Sequence, residues 1–113
     1  MTGKTKPKRG EVWWVDFGIG AGTEVQKQRP AVVISNDTAN QFLDRFQVVP
    51  LTSKVDRLYP GECRVEVGKK SGKAMGNQMA TVSIRRFGKR METLSESDMK
   101  DVDQMIKIQL DLS

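Results

Sequence analysis

The sequence predicts a single α+β domain, mostly antiparallel β: a small five-stranded barrel or sheet followed by a C-terminal helix. Five short runs rich in β-branched or aromatic residues are separated by turn-forming segments. The C-terminal segment then changes to the apolar spacing of a helix. A length of 113 residues suits one modest core, and 37% hydrophobic with 29% charged residues is a globular composition.

The elements follow one another without a repeat or an interdomain linker. Residues 1–9 are expected to form a flexible basic arm, because Lys, Thr, Gly and Pro bury little apolar surface, and one domain covers residues 10–113. The five strands are predicted at 11–17, 31–34, 46–51, 63–67 and 78–84. The proline of the third strand indicates an edge or a strand end, because Pro cannot donate to a ladder.

The connections and the helix are also predicted from local composition. Glycine marks a loop at 18–22, and glycine with lysine indicates a mobile connection at 68–76. A short helix is predicted at 40–45. The C-terminal helix follows Ser95, an N-cap residue with acids in the next turn, and its apolar face packs on the sheet.

Two adjacent tryptophans in the first strand, Trp13 and Trp14, must point to opposite faces. We therefore expect one of them in the core and the other at an exposed face or a subunit interface.

Composition excludes several kinds of chemistry. The chain has no histidine and one cysteine, Cys63, so histidine-based acid–base catalysis, Ser-His-Asp and Cys-His nucleophiles, Cys/His zinc sites and internal disulfides are ruled out. We expect no metal and no cofactor. No apolar run approaches the roughly 20 residues of a membrane span, and no signal-peptide pattern is present, so we expect a cytoplasmic protein without membrane association.

The charge of +5 is unevenly distributed along the chain. The first ten residues hold four bases and no acid, residues 67–91 hold seven bases and no acid, and the segment from 92 onward is acidic. Such blocks attract a polyanion such as nucleic acid, but they also occur as solvated faces that confer solubility. Charge alone leaves both interpretations open.

A first group of candidate site residues lies in the loop before the second strand, which carries Glu24, Lys27 and Arg29. Pro30 and the buried strand after it anchor Arg29 in an extended conformation, and an anchored guanidinium is a good donor to phosphate. The alternative is a structural salt bridge from Arg29 to Glu24 or Asp16.

Two further groups follow. Thr52, Ser53 and Lys54 come at the end of the third strand, where hydroxyls can bond phosphate oxygens or simply cap a turn. The polar residues around the fifth strand are Asn77, Gln78, Thr81 and Arg86. Amides can contact the base edges of a nucleic acid, and arginine can contact its phosphate backbone. Gln78 can equally satisfy a buried backbone group of the protein.

Four segments together, RGEVWWVDF (9–17), GTE (22–24), RPAVVISND (29–37) and VVPLTS (48–53), closely resemble the MazF/PemK (Kid) family of toxin endoribonucleases. The resemblance extends from about residue 8 through the C-terminal helix. It implies a small SH3-like barrel of the CcdB/PemK type, a homodimer, and metal-independent cleavage of single-stranded RNA at short sequences. It also implies a cognate acidic antitoxin protein that covers the dimer groove.

The resemblance assigns roles to individual residues. Arg29 and Thr52 match the family's catalytic arginine and threonine, and Glu24 matches an acid that supports activity in some members. Asn77-Gln78, Thr81 and Arg86 match a later segment. Ala80 stands where an arginine is common before Thr81, and Asn77 where an aspartate is common. PemK-type members use an arginine and an aspartate in catalysis at the places of Met75 and Asn77, so this chain departs from that acid–base pair and favours a site centred on Arg29 and Thr52.

The expected activity is that of a ribosome-independent mRNA interferase, the toxin of a type II toxin–antitoxin system. Attack by the RNA 2′-OH would leave a 2′,3′-cyclic phosphate and a 5′-OH, with Glu24 the nearest candidate for the base. Two alternatives are a CcdB-like poison of DNA gyrase on the same fold, and a non-catalytic basic RNA-binding module.

Overall fold

The computed structural model describes residues 6–18 and 27–112. Seven strands and two helices are present in these ranges: β1 (Glu11–Asp16), β2 (Gln28–Val33), α1 (Asp37–Phe42), β3 (Arg45–Thr52), β4 (Glu62–Val67), β5 (Lys70–Met75), β6 (Ala80–Ser83), β7 (Phe87–Thr93) and α2 (Glu96–Gln109). Short 3₁₀ helices at Gly76–Gln78 and Ile84–Arg86 flank β6. No helix in the described part of the chain is long and apolar enough to cross a membrane.

The strands form one curled antiparallel sheet in the order β4-β5-β3-β2-β1-β7. The central strand β3 changes partner along its length: its first half pairs with β6 from Arg45 to Val48, and its end pairs with β5 at Leu51 and Thr52. The sheet therefore curls into a half-barrel, and α2 covers one face. The predicted fold class, a small mostly antiparallel barrel with a C-terminal helix, is confirmed.

The number of strands differs from the prediction, because β5 and β7 were not recognised. Residues 68–76, predicted to be a mobile connection, contain β5, and β7 lies in a charged segment. KSGKAM contains no β-branched or aromatic residue, and FGKRMET has only Phe87 and Thr93, at its two ends, to favour a strand. Tertiary pairing with β3, β4 and β1 decides their conformation instead.

Pro50 lies in the central strand, not at the edge or strand end that its residue type indicates. The backbone of Ile34 donates to Gln47 across β2 and β3. Successive backbone nitrogens of a strand point alternately to its two neighbours, so Gln47 and Val49 direct their N–H groups toward β2 and the nitrogen of Pro50 points away from β2. On its other side β3 pairs with β6 only as far as Val48, and it pairs with β5 only from Leu51 onward. Pro50 lies between these two regions, where no ladder hydrogen bond from its nitrogen is needed.

Two clusters of buried residues form the core. The first lies between the sheet and α2 and is made of Val12, Val32, Val49, Leu51, Val65, Ala74, Leu94, Val102 and Met105. The second fills the inside of the curl and is made of Trp13, Val15, Ala31, Val33, Phe46, Val48, Val82 and Phe87. Trp13 is buried in this second core and Trp14 is 38% exposed, as the alternation in the first strand predicts.

The N-terminal residues 6–9 are packed, which corrects part of the predicted flexible arm. Pro7 is fully buried, and Lys6 donates to the carbonyls of Gln41 and Leu43 at 2.9 and 3.1 Å. The Arg9 guanidinium binds the Ile34 carbonyl and the Asp103 carboxylate of α2. Composition indicates flexibility here because it does not reveal such long-range hydrogen bonds; residues 1–5 lie outside the described ranges.

The Cys63 thiol in β4 is half-buried beside α2. Burial, followed by the negative charges of Asp101 and Asp98, raises its pKa to about 11. At pH 8 this lowers the thiolate fraction on the order of 100-fold relative to an ordinary cysteine. We therefore expect iodoacetamide to alkylate the folded protein at pH 8 at least that much more slowly than the urea-unfolded protein, with mass spectrometry as the readout. Equal rates in the two states would contradict this environment for Cys63.

Candidate active site

Arg29 projects from β2 at the edge of the core inside the curl. It pairs with Val15 of β1, and alternation places its side chain on the same face as Ala31. Its Nε atom is buried and has no hydrogen-bond partner within the described ranges. Among the described residues no ion pair joins Arg29 to Asp16, one of the two structural partners considered from the sequence; the other, Glu24, lies outside the described residues.

Thr52 at the end of β3 lies opposite Arg29 when the β2–β3 register is continued. The last recorded pair is Ala31 with Pro50, and two further steps bring Arg29 to Thr52. Directly opposed side chains have Cβ atoms about 5 Å apart. The Thr52 Oγ1 atom accepts from the Lys54 backbone N–H at 3.3 Å, so it caps the turn as the alternative interpretation expects. Its own hydroxyl proton can still be donated.

Lys73 of β5 is the direct cross-strand neighbour of Thr52 on the other side of β3. It is only 6% exposed, and its Nζ lies 2.9 Å from the Glu62 carboxylate. Gly72 allows β5 to approach β3 closely, since a Cβ at that position would lie 3.1 Å from the Thr52 carbonyl oxygen. The buried ion pair therefore borders the Thr52 end of the candidate site.

The base of the loop between β1 and β2 adds two further cations. Lys27 is exposed, adopts a positive φ of 62°, and its carbonyl accepts from the Phe17 N–H at 2.8 Å. Arg86 is exposed and donates to the Asp16 carbonyl at 3.1 Å. Because Asp16 pairs with Gln28, Arg86 and Lys27 lie at the same end of β2 as Arg29. Glu24, predicted as a catalytic acid in this loop, lies outside the described residues.

Ser53 and Lys54 follow Thr52 directly and are exposed at the same strand end. Thr81, by contrast, is not brought to Arg29 and Thr52. Thr81 pairs with Gln47 and accepts from its side chain at 3.0 Å. Gln47 and Thr52 are five positions apart in β3, so their side chains point to opposite faces of the strand. Thr81, as the cross-strand partner of Gln47, therefore lies on the face opposite to Thr52.

Asn77 is exposed in a 3₁₀ helix beside Gly61, near the C-terminal end of α2. The neighbouring Gln78, in the same 3₁₀ helix, is half-buried. Asn77 lies near the end of α2, which covers the face opposite to Arg29 and Thr52. Continuing the register from the Val48–Ala80 pair by two residues brings Gln78 opposite Pro50, in the strand that carries Thr52.

The basic segment 67–91 does not form one continuous patch. Lys69 and Lys70 lie at the turn between β4 and β5, and Lys89 and Arg90 lie on β7, at the other edge of the sheet. Lys73 is buried and paired with Glu62, so it adds little to the surface potential. The cations at the site end come instead from three separate segments, which carry Lys27 with Arg29, Lys54, and Arg86.

Sequence reasoning missed Lys73 and Glu62 as neighbours of the site. Their contact depends on the register of β5 with β3 and β4, which no local pattern reveals. In the sequence Lys73 is one of several lysines in a glycine-rich stretch, where a solvated residue is the ordinary expectation.

A guanidinium and a hydroxyl that face each other across two strands, with further cations at the rim, are donors with the chemistry to bind a phosphodiester. The chain matches the family of PemK-like, MazF-like toxins of type II toxin–antitoxin systems over residues 8–110. It is 32% identical to endoribonuclease MazF9 of Mycobacterium tuberculosis over 114 residues, covering 93% of this chain and 97% of that protein. The chain therefore belongs to the PemK/MazF family of toxins.

Solved structures show the same fold. MazF from Deinococcus radiodurans superposes with a TM-score of 0.84 at 24% identity, covering 96% of this chain and all (100%) of that one. A mycobacterial endoribonuclease in complex with its cognate antitoxin superposes with a TM-score of 0.80 at 20% identity, covering 95% of this chain and 97% of that one. In both comparisons the shared fold extends over nearly the whole length of the two chains.

Proposed function

We propose that this chain is the toxin of a type II toxin–antitoxin system and acts as an endoribonuclease on single-stranded RNA in the cytoplasm. It cleaves mRNA at short specific sequences without needing the ribosome, and so inhibits translation and growth. The observation that carries the proposed site is the buried, unpartnered Nε of Arg29 at a strand end that faces Thr52. A buried donor without a partner is costly in a protein of ordinary stability, and a phosphate oxygen would satisfy it.

The reaction needs no nucleophile from the protein, because RNA supplies its own 2′-OH. A base removes the 2′ proton, O2′ bonds to phosphorus, the bond from phosphorus to O5′ breaks, and O5′ takes up a proton. The products are a 2′,3′-cyclic phosphate and a 5′-OH. Positioning and charge stabilisation are the protein's main contributions to such a step.

Arg29 stabilises the charge that builds on the phosphorane oxygens, since its guanidinium stays protonated and its donors suit a phosphate. Thr52 donates its hydroxyl proton to a non-bridging oxygen while its turn bond to Lys54 is kept. Glu24 is the candidate base by sequence. Lys27, Ser53, Lys54 and Arg86 hold flanking phosphates, and Asn77, Gln78 and Thr81 are candidate contacts to more distant nucleotides.

The assembly follows the family: two copies form a homodimer, and an acidic antitoxin binds it. A structural relative was solved in complex with its cognate antitoxin. The cations around the site of this chain are complementary to such an acidic partner.

The test is to incubate the purified protein with a long RNA in EDTA and map the ends. We expect cleavage at a short recurring sequence, 5′ ends that accept phosphate from polynucleotide kinase without prior dephosphorylation, and 3′ ends that carry a cyclic phosphate. A requirement for added Mg²⁺ would contradict the metal-free scheme. RNA that is bound but left intact would indicate a non-catalytic module, and inhibition of gyrase without RNA cleavage would indicate a CcdB-like poison.

A further inference from the structure

The segment between β3 and β4, residues 53–61, folds back over the buried end of Lys73. Lys73 Nζ donates to the Arg57 carbonyl at 2.7 Å and pairs with Glu62 at 2.9 Å. The same Glu62 oxygen, Oε1, accepts from the Tyr59 backbone N–H at 2.8 Å. The Glu62 N–H in turn donates to the Tyr59 carbonyl at 3.1 Å. One buried ion pair therefore fixes the backbone of this segment on both sides of its tyrosine.

The Tyr59 side chain remains open to solvent although its backbone is held. The residue is 53% exposed, while Lys73 Nζ lies 5.1 Å and the Arg57 guanidinium carbon 5.7 Å from the ring centroid. A backbone fixed from beneath reduces the conformational entropy that a ligand must remove on binding the ring. The arrangement is that of a preorganised aromatic surface with cations at its border.

The ring is connected to the proposed catalytic residues through Lys73, one strand beyond Thr52. Lys73, which contacts the ring, is the direct cross-strand partner of Thr52, and paired residues share one face of a sheet. The segment that carries Tyr59 starts at the residue after Thr52. An RNA strand whose phosphate lies between Arg29 and Thr52 therefore passes next to Tyr59.

We propose that Tyr59 forms a stacking subsite for one nucleobase adjacent to the scissile phosphate, and that Lys73 and Glu62 are positioning residues for it. This rests on the proposed function, because the ligand is the same RNA strand. Arg57 and Lys54 are exposed cations in the same segment, which suits a polyanion better than an apolar protein surface. Stacking on one ring tolerates any base, so this subsite contributes affinity more than sequence choice.

The test compares Tyr59→Ala with Tyr59→Phe, both in an Arg29→Ala background that does not cut the probe. The probe is a fluorescein-labelled, random-sequence single-stranded RNA of about 12 nucleotides, within the usual footprint of such sites. We expect the alanine variant to bind about 5- to 100-fold more weakly by fluorescence anisotropy, and the phenylalanine variant to bind like its parent. Phe42→Ala is the matched control, because Phe42 is 72% exposed on α1, at the other end of β2 and β3.

The positioning role is tested by the paired replacement Lys73→Met with Glu62→Met, which removes both charges without leaving one of them buried alone. We expect this variant to weaken RNA binding as Tyr59→Ala does, and to have little further effect when Tyr59 is already alanine. Additive losses would show that Lys73 and Glu62 act on RNA by another route and would overturn their positioning role.

Binding unchanged in Tyr59→Ala would overturn the subsite. So would a change in oligomeric state by light scattering on loss of the ring, because Tyr59 would then be a contact between protein chains. Neither result depends on cleavage. A wild-type protein that leaves RNA intact contradicts the proposed function alone, and the anisotropy comparison still decides whether Tyr59 contacts RNA.

Discussion

Replacement of Arg29 by alanine is expected to lower the rate of RNA cleavage at least about 100-fold, the usual cost of removing one preorganised donor to a developing oxyanion. The fold should be unaffected, because within the described residues the guanidinium takes part in no salt bridge and its Nε makes no hydrogen bond. Removing a buried, unsatisfied donor is even expected to leave the midpoint of thermal unfolding the same or slightly higher. The two measurements are initial cleavage rates at saturating RNA and thermal unfolding by circular dichroism.

Two further variants serve as comparisons for Arg29→Ala. Arg29→Lys keeps the charge but loses the planar donor pair, so its activity should lie between those of the wild type and the alanine variant. Arg45→Ala removes an exposed arginine at the opposite end of β3 and should cleave like the wild type. A clear loss of stability in Arg29→Ala, with activity reduced only in proportion to the unfolded fraction, would instead make Arg29 a structural residue.

Breaking the Lys73–Glu62 pair on one side is expected to have the largest effect on stability. Both side chains are nearly inaccessible, 7% and 8% exposed, so Lys73→Met leaves a buried carboxylate and Glu62→Gln leaves a buried ammonium. Removing one partner of a buried pair costs about 3–5 kcal/mol of unfolding free energy. The paired replacement by two methionines should cost far less, because no isolated charge remains.

Urea unfolding followed by tryptophan fluorescence measures these differences, with Lys70→Met as the control. Lys70 is an exposed lysine on the same strand, and its replacement should change the unfolding free energy by well under about 1 kcal/mol. Single variants that are as stable as the control would show that water reaches the Lys73–Glu62 pair and screens it.

Much of the architecture could be read from local pattern. The apolar runs that became β1, β2 and β3, and the capped, periodic segment that became α2, are recognisable because burial and hydrogen bonding there agree with residue preference. β5 and β7 could not be read, since lysine, glycine and serine adopt extended structure there only because β3, β4 and β1 offer them partners. The short helix predicted at 40–45 begins three residues earlier in the structure, at Asp37–Phe42, where the Asn36 side chain caps it.

In the candidate site, too, some residues could be recognised in the sequence and others only in the structure. Arg29 and Thr52 stand out in the sequence because each ends or begins an apolar strand in a recognisable motif, and β2–β3 register then places them opposite each other. Lys73, Glu62 and Tyr59 have no such local mark. Their relation to Thr52 arises from strands that pair across the fold, so only the three-dimensional arrangement reveals it.

The pairing of β1 with the edge strand β7 has a consequence for when the toxin becomes active. β1 pairs with β7, from Glu11 opposite Thr93 to Val15 opposite Phe87, and Leu94 donates to the Gly10 carbonyl. One edge of β1 pairs with β2, which is synthesised soon after it, but the other edge stays unpaired until β7 has been synthesised. A polypeptide still emerging from the ribosome carries Arg29 and Thr52 but neither β5 nor β7. We therefore expect that the protein does not cleave the mRNA from which it is being translated until translation is essentially complete.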